Sequence, residues 1–387
     1  MSLKSSRRSP KAVISGYYGF GNCGDEAVLL AIIHCLRTLH PDVRITVFSN
    51  KPSMTRELYG VKAVNRWNPV RIAFEIMTCR LMISGGGSLL QDVTSTRSLY
   101  YYLAMLRMAI LLGKRVMIYS QGIGPLGGEK SRVRVSKILS RCHTITVRDT
   151  LSAELLRELA VKPDVQITCD PVMGFCREDI DITEAEALLR GSDIPDSTDE
   201  KRKPLLLAVI RSWKDDRHTK PVAEFLDTQV ALGWDVLLVP AHFSADMEVI
   251  ARLGNLMTAQ THCIEKRLTA SQFLALSARA DRVFSMRLHG LICAMAMGTP
   301  MIGLSYDPKV DGFMEYAGAA RYCLPFDGLD PETATRLMAE LDAMDPLFKQ
   351  ETESRRLEMR KLAWETAGCA AKLLDEKPGS ATRGPRS

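Results

Sequence analysis

The stretch Asp281–Leu304, DRVFSMRLHGLICAMAMGTPMIGL, decides the fold. Arg282–Ser285 and Pro300–Leu304 are short apolar runs of strand length, and Leu291–Met297 between them is an apolar helical run. A helix that is apolar all round must be buried, and a strand–helix–strand unit joins parallel strands. The same alternation extends upstream. Pro204–Ile210 and Asp235–Val239 read as strands, and Pro221–Leu232, Met247–Leu256 and Ser271–Ala280 as helices. Nearer the start, KAVIS (11–15), VRITVF (43–48), RLMIS (80–84), RVMIY (115–119) and TITV (144–147) read as strands. Helical patterns at Asp25–Leu39, Arg97–Leu112, Glu129–Ser140 and Leu151–Leu159 fall between several of them. The fold class expected is α/β, with two Rossmann-like domains in tandem. The polar stretch 177–203 reads as the link, with a short helix at Thr183–Leu189. The boundaries expected are 1–176 for the first domain, 204–376 for the second and 377–387 for a flexible tail, with Pro331–Leu374 helical.

Composition agrees. The chain has 387 residues, 46% hydrophobic and 25% charged, which excludes a disordered or low-complexity protein and suits two ordinary domains. The net charge of +6 is mild; it suits an anionic substrate or membrane surface and does not call for nucleic acid. The ten cysteines form no CxxC pair and no zinc-spaced cluster with histidine, so a reducing compartment is expected. The basic start breaks at Gly16 before any signal-like apolar run is complete, and no stretch approaches the roughly 20 apolar residues of a membrane span. The location expected is cytoplasmic.

In open α/β domains the ligand lies at the carboxyl ends of the strands, so two such domains face a substrate across a cleft. Gly19-Phe20-Gly21-Asn22-Cys23-Gly24-Asp25 follows a strand and spells GxGxxG, but no acid follows the next strand, where a dinucleotide ribose would need one. A structural turn and a sugar- or phosphate-contacting loop both remain open for it. Ser84-Gly85-Gly86-Gly87-Ser88, followed by Gln91 and Asp92, and Gln121-Gly122-Ile123-Gly124-Pro125 repeat the glycine-rich pattern after two further strands. Arg287 and His289 carry the strongest signal. If the chain there is extended, they project to one side at the start of the apolar helix, where free amides, a guanidinium fork and a mobile proton would meet an anion. Asp307 and Pro308 read as N-cap and first residue of the next helix, which puts Lys309 in its first turn, where a cation is misplaced unless an anion lies near. Arg148 and Arg211 each end a strand, one per domain; Trp213 and His218 stand near the second. No acidic cluster suggests a metal, and none is expected.

GFGNCGDEA, ISGGGSLLQD, YSQGIGP, ITVRD and above all FSMRLHGLICAMAMGTPMIGLSYDPKV (284–310) resemble the polysaccharide pyruvyltransferase family, in order over Lys11–Cys323, and most closely its bacterial cell-wall glycan branch. The resemblance implies a GT-B-like fold and transfer of a pyruvyl group from phosphoenolpyruvate to two hydroxyls of one sugar as a cyclic ketal. It further implies a β-linked ManNAc acceptor on a lipid-diphosphate-linked ManNAc-GlcNAc, giving a 4,6-ketal in a glycan that anchors S-layer proteins. Phosphoenolpyruvate would be a co-substrate and no cofactor is implied. Its carboxylate and phosphate need several fixed cations, and ketal formation needs a proton on the vinyl carbon. The roles expected are catalytic for His289, Arg148 and Lys309. Donor binding falls to Arg287, Arg211, Lys309, Leu288 and Gly290, and acceptor binding to Asn22, Asp25, Ser88, Gln91 and Asp92. A lipid-linked acceptor adds the expectation of peripheral contact with the inner membrane face, with Arg355, Arg356, Arg360 and Lys361 as candidates. The rival reading is a nucleotide-sugar glycosyltransferase of the same fold.

Overall fold

A computed structural model describes residues 9–93, 95–200, 202–343 and 346–376. The expected flexible tail, 377–387, lies outside the described residues. Two compact units emerge from the packing. The first is built from the chain up to Phe20, Val28–Pro171 and the chain from Leu362; the second from Gly21–Ala27 and Val172–Lys361.

The first unit holds β1 (Lys11–Ser15), β2 (Arg44–Ser49), β3 (Lys62–Asn65), β4 (Leu81–Ser84), β5 (Gly87–Leu90), β6 (Arg115–Ile123), β7 (Thr144–Val147) and β8 (Val165–Ile167). They form one parallel sheet in the order β3-β2-β1-β4-β6-β7-β8, with β5 added alongside β6. The second unit holds β9 (Leu205–Val209), β10 (Asp235–Leu238), β11 (His262–Cys263), β12 (Arg282–Ser285), β13 (Met301–Ser305) and β14 (Cys323–Pro325), ordered β11-β10-β9-β12-β13-β14 and also parallel. The strand order reverses between β1 and β4 in one sheet and between β9 and β12 in the other. Crossovers leave to opposite faces at such a reversal and open a crevice at the carboxyl edge.

The fully buried strands, Leu205–Val209 above all, are continuous apolar runs, as a sheet covered on both faces requires. Several elements were not legible. The helices Pro52–Tyr59 and Pro69–Thr78 and the short strands β3, β5, β8, β11 and β14 are not among the expected elements; the strands carry too few residues to show a period. The segment 177–203 is not free-standing chain. The helix Thr183–Arg190 buries Ala185, Leu188 and Leu189, and Glu186 pairs with Arg279 at 2.8 Å, all inside the second unit. The C-terminal helical stretch is two helices, Pro331–Asp342 and Pro346–Asp375. All ten cysteines are free thiols. Among the described residues no helix is long and apolar enough to cross a membrane.

Candidate functional site

The second unit gathers chemistry at its reversal. Val209 of β9 and Ser285 of β12 are register partners, so Arg211 and Arg287 leave adjacent strands side by side. The helix that follows β12 begins at Leu288, three residues before the apolar run. Arg287 is its N-cap, with extended φ −77° and ψ 122°, and His289 is its second residue. The two therefore do not project together by strand alternation. The reason is local: Ser285 Oγ donates to the Arg287 carbonyl at 2.8 Å, and that carbonyl accepts the Gly290 amide at 2.8 Å, closing the first turn early. Gly290 thus spends its amide inside the helix, and its lack of a Cβ gives Ser285 Oγ room. Gly298, at φ 68°, ends the helix in the left-handed conformation that glycine accepts without strain.

Arg287 turns to a partner absent from the sequence reading. Its Nη2 donates to Asp246 Oδ1, whose other oxygen accepts the His242 amide at 2.8 Å. Asp246 is fully buried and lies on the helix Phe243–Leu256 after β10. A buried carboxylate needs such partners, and here they lock the guanidinium at the carboxyl edge of β12. Only a long-range contact could have revealed this.

His289 faces the glycine-rich segment Gly21–Ala27, which belongs to the same unit. A Cβ at Gly24 would overlap the imidazole, so glycine there is a condition of the histidine's position. Asn22 bridges to His242, and the Cys23 amide donates to the Ala241 carbonyl at 2.8 Å. Asn22 Oδ1 accepts the Gly24 amide at 3.1 Å and Nδ2 donates to Asp25 at 2.6 Å. The first amides of the helix Cys23–Leu39 are therefore answered by protein, which leaves the GxGxxG spelling without the open donors a pyrophosphate requires. Cys23 is no nucleophile: burial, then Glu26 and Asp246, push its thiol up to about 12. The Arg267 guanidinium lies over Gly21, another neighbour missed from sequence.

Arg211 is held between rings. Its guanidinium carbon is 5.1 Å from the Trp213 centroid and 4.9 Å from that of Tyr306, and Nη1 donates to Tyr306 Oη at 2.8 Å. His218 is buried and donates from Nε2 to the Arg211 carbonyl; burial lowers its pKa, so it serves as a neutral prop. Asp307 caps the helix Pro308–Tyr316, accepting the Lys309 amide at 3.0 Å, with Pro308 at its start as expected. Lys309 is half-buried there. Arg211, Arg287, His289 and Lys309 all follow the carboxyl ends of β9, β12 and β13, three neighbouring strands.

The first unit's reversal is filled differently. Tyr18, wholly buried, lies against Gly16 and Gly85, which follow β1 and β4; a Cβ on either would overlap its phenol. Arg148 is buried too. Nη1 pairs with Asp170 at 2.7 Å and Nη2 donates to Ser88 Oγ at 3.2 Å. Asp92 accepts the amides of Gly127 and Gly128 at 2.8 and 3.0 Å, and Gln91 is half-buried after β5. The third glycine loop is not a loop at its start, since β6 runs on through Ile123 and Gln121 is wholly buried, donating to Ser84 Oγ and the Gly85 carbonyl. Among the described residues no group of three or more His, Cys, Asp or Glu is placed to hold a metal ion.

No curated protein matches the sequence. Solved structures do match in fold. UDP-GlcNAc 2-epimerase from Neisseria meningitidis, bound to UDP-GlcNAc, has a TM-score of 0.60 at 12% identity, over 95% of this chain and 99% of that one. A glycosyltransferase from Rickettsia africae gives 0.60 at 13% identity, over 96% and 100%. UDP-GlcNAc 2-epimerase from Methanocaldococcus jannaschii gives 0.58 at 14%, over 86% and 92%. The likeness is one of fold alone: two parallel-sheet α/β units of the GT-B kind. The family profile for polysaccharide pyruvyl transferase matches residues 22–308, a span that runs from the Asn22 segment through the RLHG turn to Pro308. The chain therefore belongs to the polysaccharide pyruvyl transferase family and is an enzyme that modifies polysaccharide by moving pyruvyl groups.

Proposed function

We propose that the donor is phosphoenolpyruvate and that it binds at the carboxyl edge of the second sheet. The observation that carries this is the placement of two fixed guanidiniums, Arg211 and Arg287, on either side of the β9/β12 reversal with His289 in the adjoining helical turn. Arg287 is pre-oriented by Asp246 and Arg211 by Tyr306, so little ordering entropy is lost when they meet carboxylate and phosphate. Lys309 adds a third cation. His289 gives its proton to the vinyl CH₂, and the carbon bearing the phosphate becomes an oxocarbenium centre. One acceptor hydroxyl adds there and loses its proton. Phosphate then leaves with its bonding pair, and the second hydroxyl adds to the resulting oxocarbenium carbon and gives up its proton to the released phosphate, which closes the ketal. Positioned general acids contribute about 10²–10⁴-fold. Arg148 enters as a cation already answered by Asp170. Asn22, Asp25, Ser88, Gln91 and Asp92 are the residues proposed for the acceptor. The acceptor proposed is the β-linked ManNAc of a lipid-diphosphate-linked glycan, by likeness of the motifs to the CsaB type. The reaction is assigned no metal or cofactor.

The competing donor is a UDP-sugar, favoured by the fold it shares with UDP-GlcNAc 2-epimerases. Phosphoenolpyruvate should raise the melting temperature and UDP-GlcNAc should not. Incubation with phosphoenolpyruvate and a lipid-diphosphate-linked ManNAc-GlcNAc should release phosphate and add the pyruvyl mass. Stabilisation by UDP-GlcNAc with no phosphate release would replace this reading by glycosyl transfer.

A further inference from the structure

At the amino edge of the first sheet, opposite its glycine loops, lies a groove of about 970 Å³. Lys11, Lys62 and Lys114 line it together with Arg37, Arg44, Arg80 and Arg115, and among the described residues no Asp or Glu lines it. Two of the lysines share one buried carboxylate: Lys11 and Lys62 each reach Glu75 at 2.5 Å. Arg115 meets Glu376 at 3.2 Å. Arg37, Arg44 and Arg80 donate to carbonyls: Arg37 to those of Tyr59 and Gly60, Arg44 to that of Ser9, and Arg80 to that of Leu374. Part of this is ordinary, because cations suit helix C-termini. A carbonyl, however, satisfies a donor without cancelling its charge, so the groove keeps a positive excess.

Beside it runs an apolar stripe. Val70, Phe74 and Met77 are 77%, 54% and 53% exposed on the helix Pro69–Thr78, spaced four and three residues apart and so on one face. Trp67, just before the helix, is 65% exposed and braced by Tyr101 and by Arg66 beneath. Phe74 and Thr78 also line the groove, so stripe and charge are continuous. The only acid of this helix, Glu75, is buried. Core demand does not explain the stripe, since Ile72 and Ile76 already supply the buried face.

We propose that this surface docks on an anionic lipid bilayer, with Trp67, Val70, Phe74 and Met77 in the headgroup boundary and the lysines and arginines on lipid phosphates. The chemistry is that of an interfacial anchor: aromatic and aliphatic side chains alongside uncompensated cations. Of the C-terminal candidates, Arg355, Arg356 and Arg360 pair with Glu358, Glu353 and Asp179, so they offer less uncompensated charge than this groove. The inference stands on this surface alone and does not depend on the donor.

Flotation of the full chain with vesicles tests it. The protein should float with phosphatidylcholine–phosphatidylglycerol vesicles, stay behind with phosphatidylcholine alone, and be released by salt. Lys114→Ala with Arg44→Ala should weaken binding about 25-fold, at about fivefold per charge. Phe74→Ser with Met77→Ser should weaken it by about tenfold or more with the melting temperature unchanged, since both side chains are exposed. Equal binding to neutral vesicles, or variants that float like the parent, would overturn the proposal. So would a dimer in sedimentation that Phe74→Ser dissolves, which would make the stripe a self-interface. Stabilisation by inorganic pyrophosphate without vesicle binding would overturn it in favour of a free-anion pocket.

Discussion

The two sheets reverse their strand order in the same way, yet the crevices are used in opposite ways. At the β1/β4 reversal the crevice is closed by the protein's own Tyr18, for which Gly16 and Gly85 make room. At the β9/β12 reversal the neighbouring side chains are Arg211, Arg287 and His289. Each unit also ties a strand-end arginine to a buried aspartate, Arg148 to Asp170 and Arg287 to Asp246. Arg148 also donates to Ser88 of β5 and lies 3.8 Å from Asp149, whereas Arg287 caps the helix that carries the histidine. A glycine-rich loop and a strand-end cation are thus not enough to identify a site. What matters is whether the space they create is filled by protein.

The largest effect that would break this contrast is at His289. His289→Gln should lower turnover by about 10²–10⁴-fold and leave phosphoenolpyruvate binding nearly intact, because the proton matters mainly in the transition state. Steady-state kinetics beside a direct binding titration checks this; normal turnover with poor donor affinity would make the histidine a binding group. The aspartates come next. Asp246→Ala and Asp170→Ala each remove the buried carboxylate that holds a strand-end guanidinium and should cost up to about 3–5 kcal/mol in denaturant unfolding, less at Arg148, which keeps Asp149 at 3.8 Å. They should differ in calorimetry, where only Asp246→Ala also loses donor affinity. Equal losses of affinity would dissolve the distinction between the two units.

Arg287→Ala and Lys309→Ala should each weaken donor binding about ten- to a hundredfold, the scale of a lost charge-assisted hydrogen bond. Gly24→Ala sharpens the comparison most finely. The methyl meets the His289 ring, so turnover should fall by about tenfold or more as the imidazole is displaced. The melting temperature should fall as well, because the added Cβ overlaps the root of the His289 side chain and overpacking costs about 1–3 kcal/mol, more than alanine's helix preference returns. Unchanged turnover would show that His289 has freedom the packing denies it.

The architecture was legible because burial writes a period into each element. The βαβ unit around Leu291–Met297 and the long strands of both sheets could be located from apolar runs alone. The Asp307-Pro308 helix start was legible because capping is a local bond. The helix start at Leu288 was not, because two hydrogen bonds within Ser285–Gly290 extend the helix past its apolar run. Short elements such as Lys62–Asn65 and Gly87–Leu90 gave no period to read.

By itself, then, the sequence determined the α/β class, the parallel strands, the RLHG turn and the cations that follow strand ends, all of which depend on neighbours a few residues apart. Tertiary structure decided that Asp246, 41 residues before Arg287, is its partner, that Gly24 makes room for His289, and that Tyr18 occupies the first crevice. An acid in FSADMEVIARL reads like any helix-surface carboxylate. Its burial and its charge partner are properties of the packing between elements, and no local pattern encodes them.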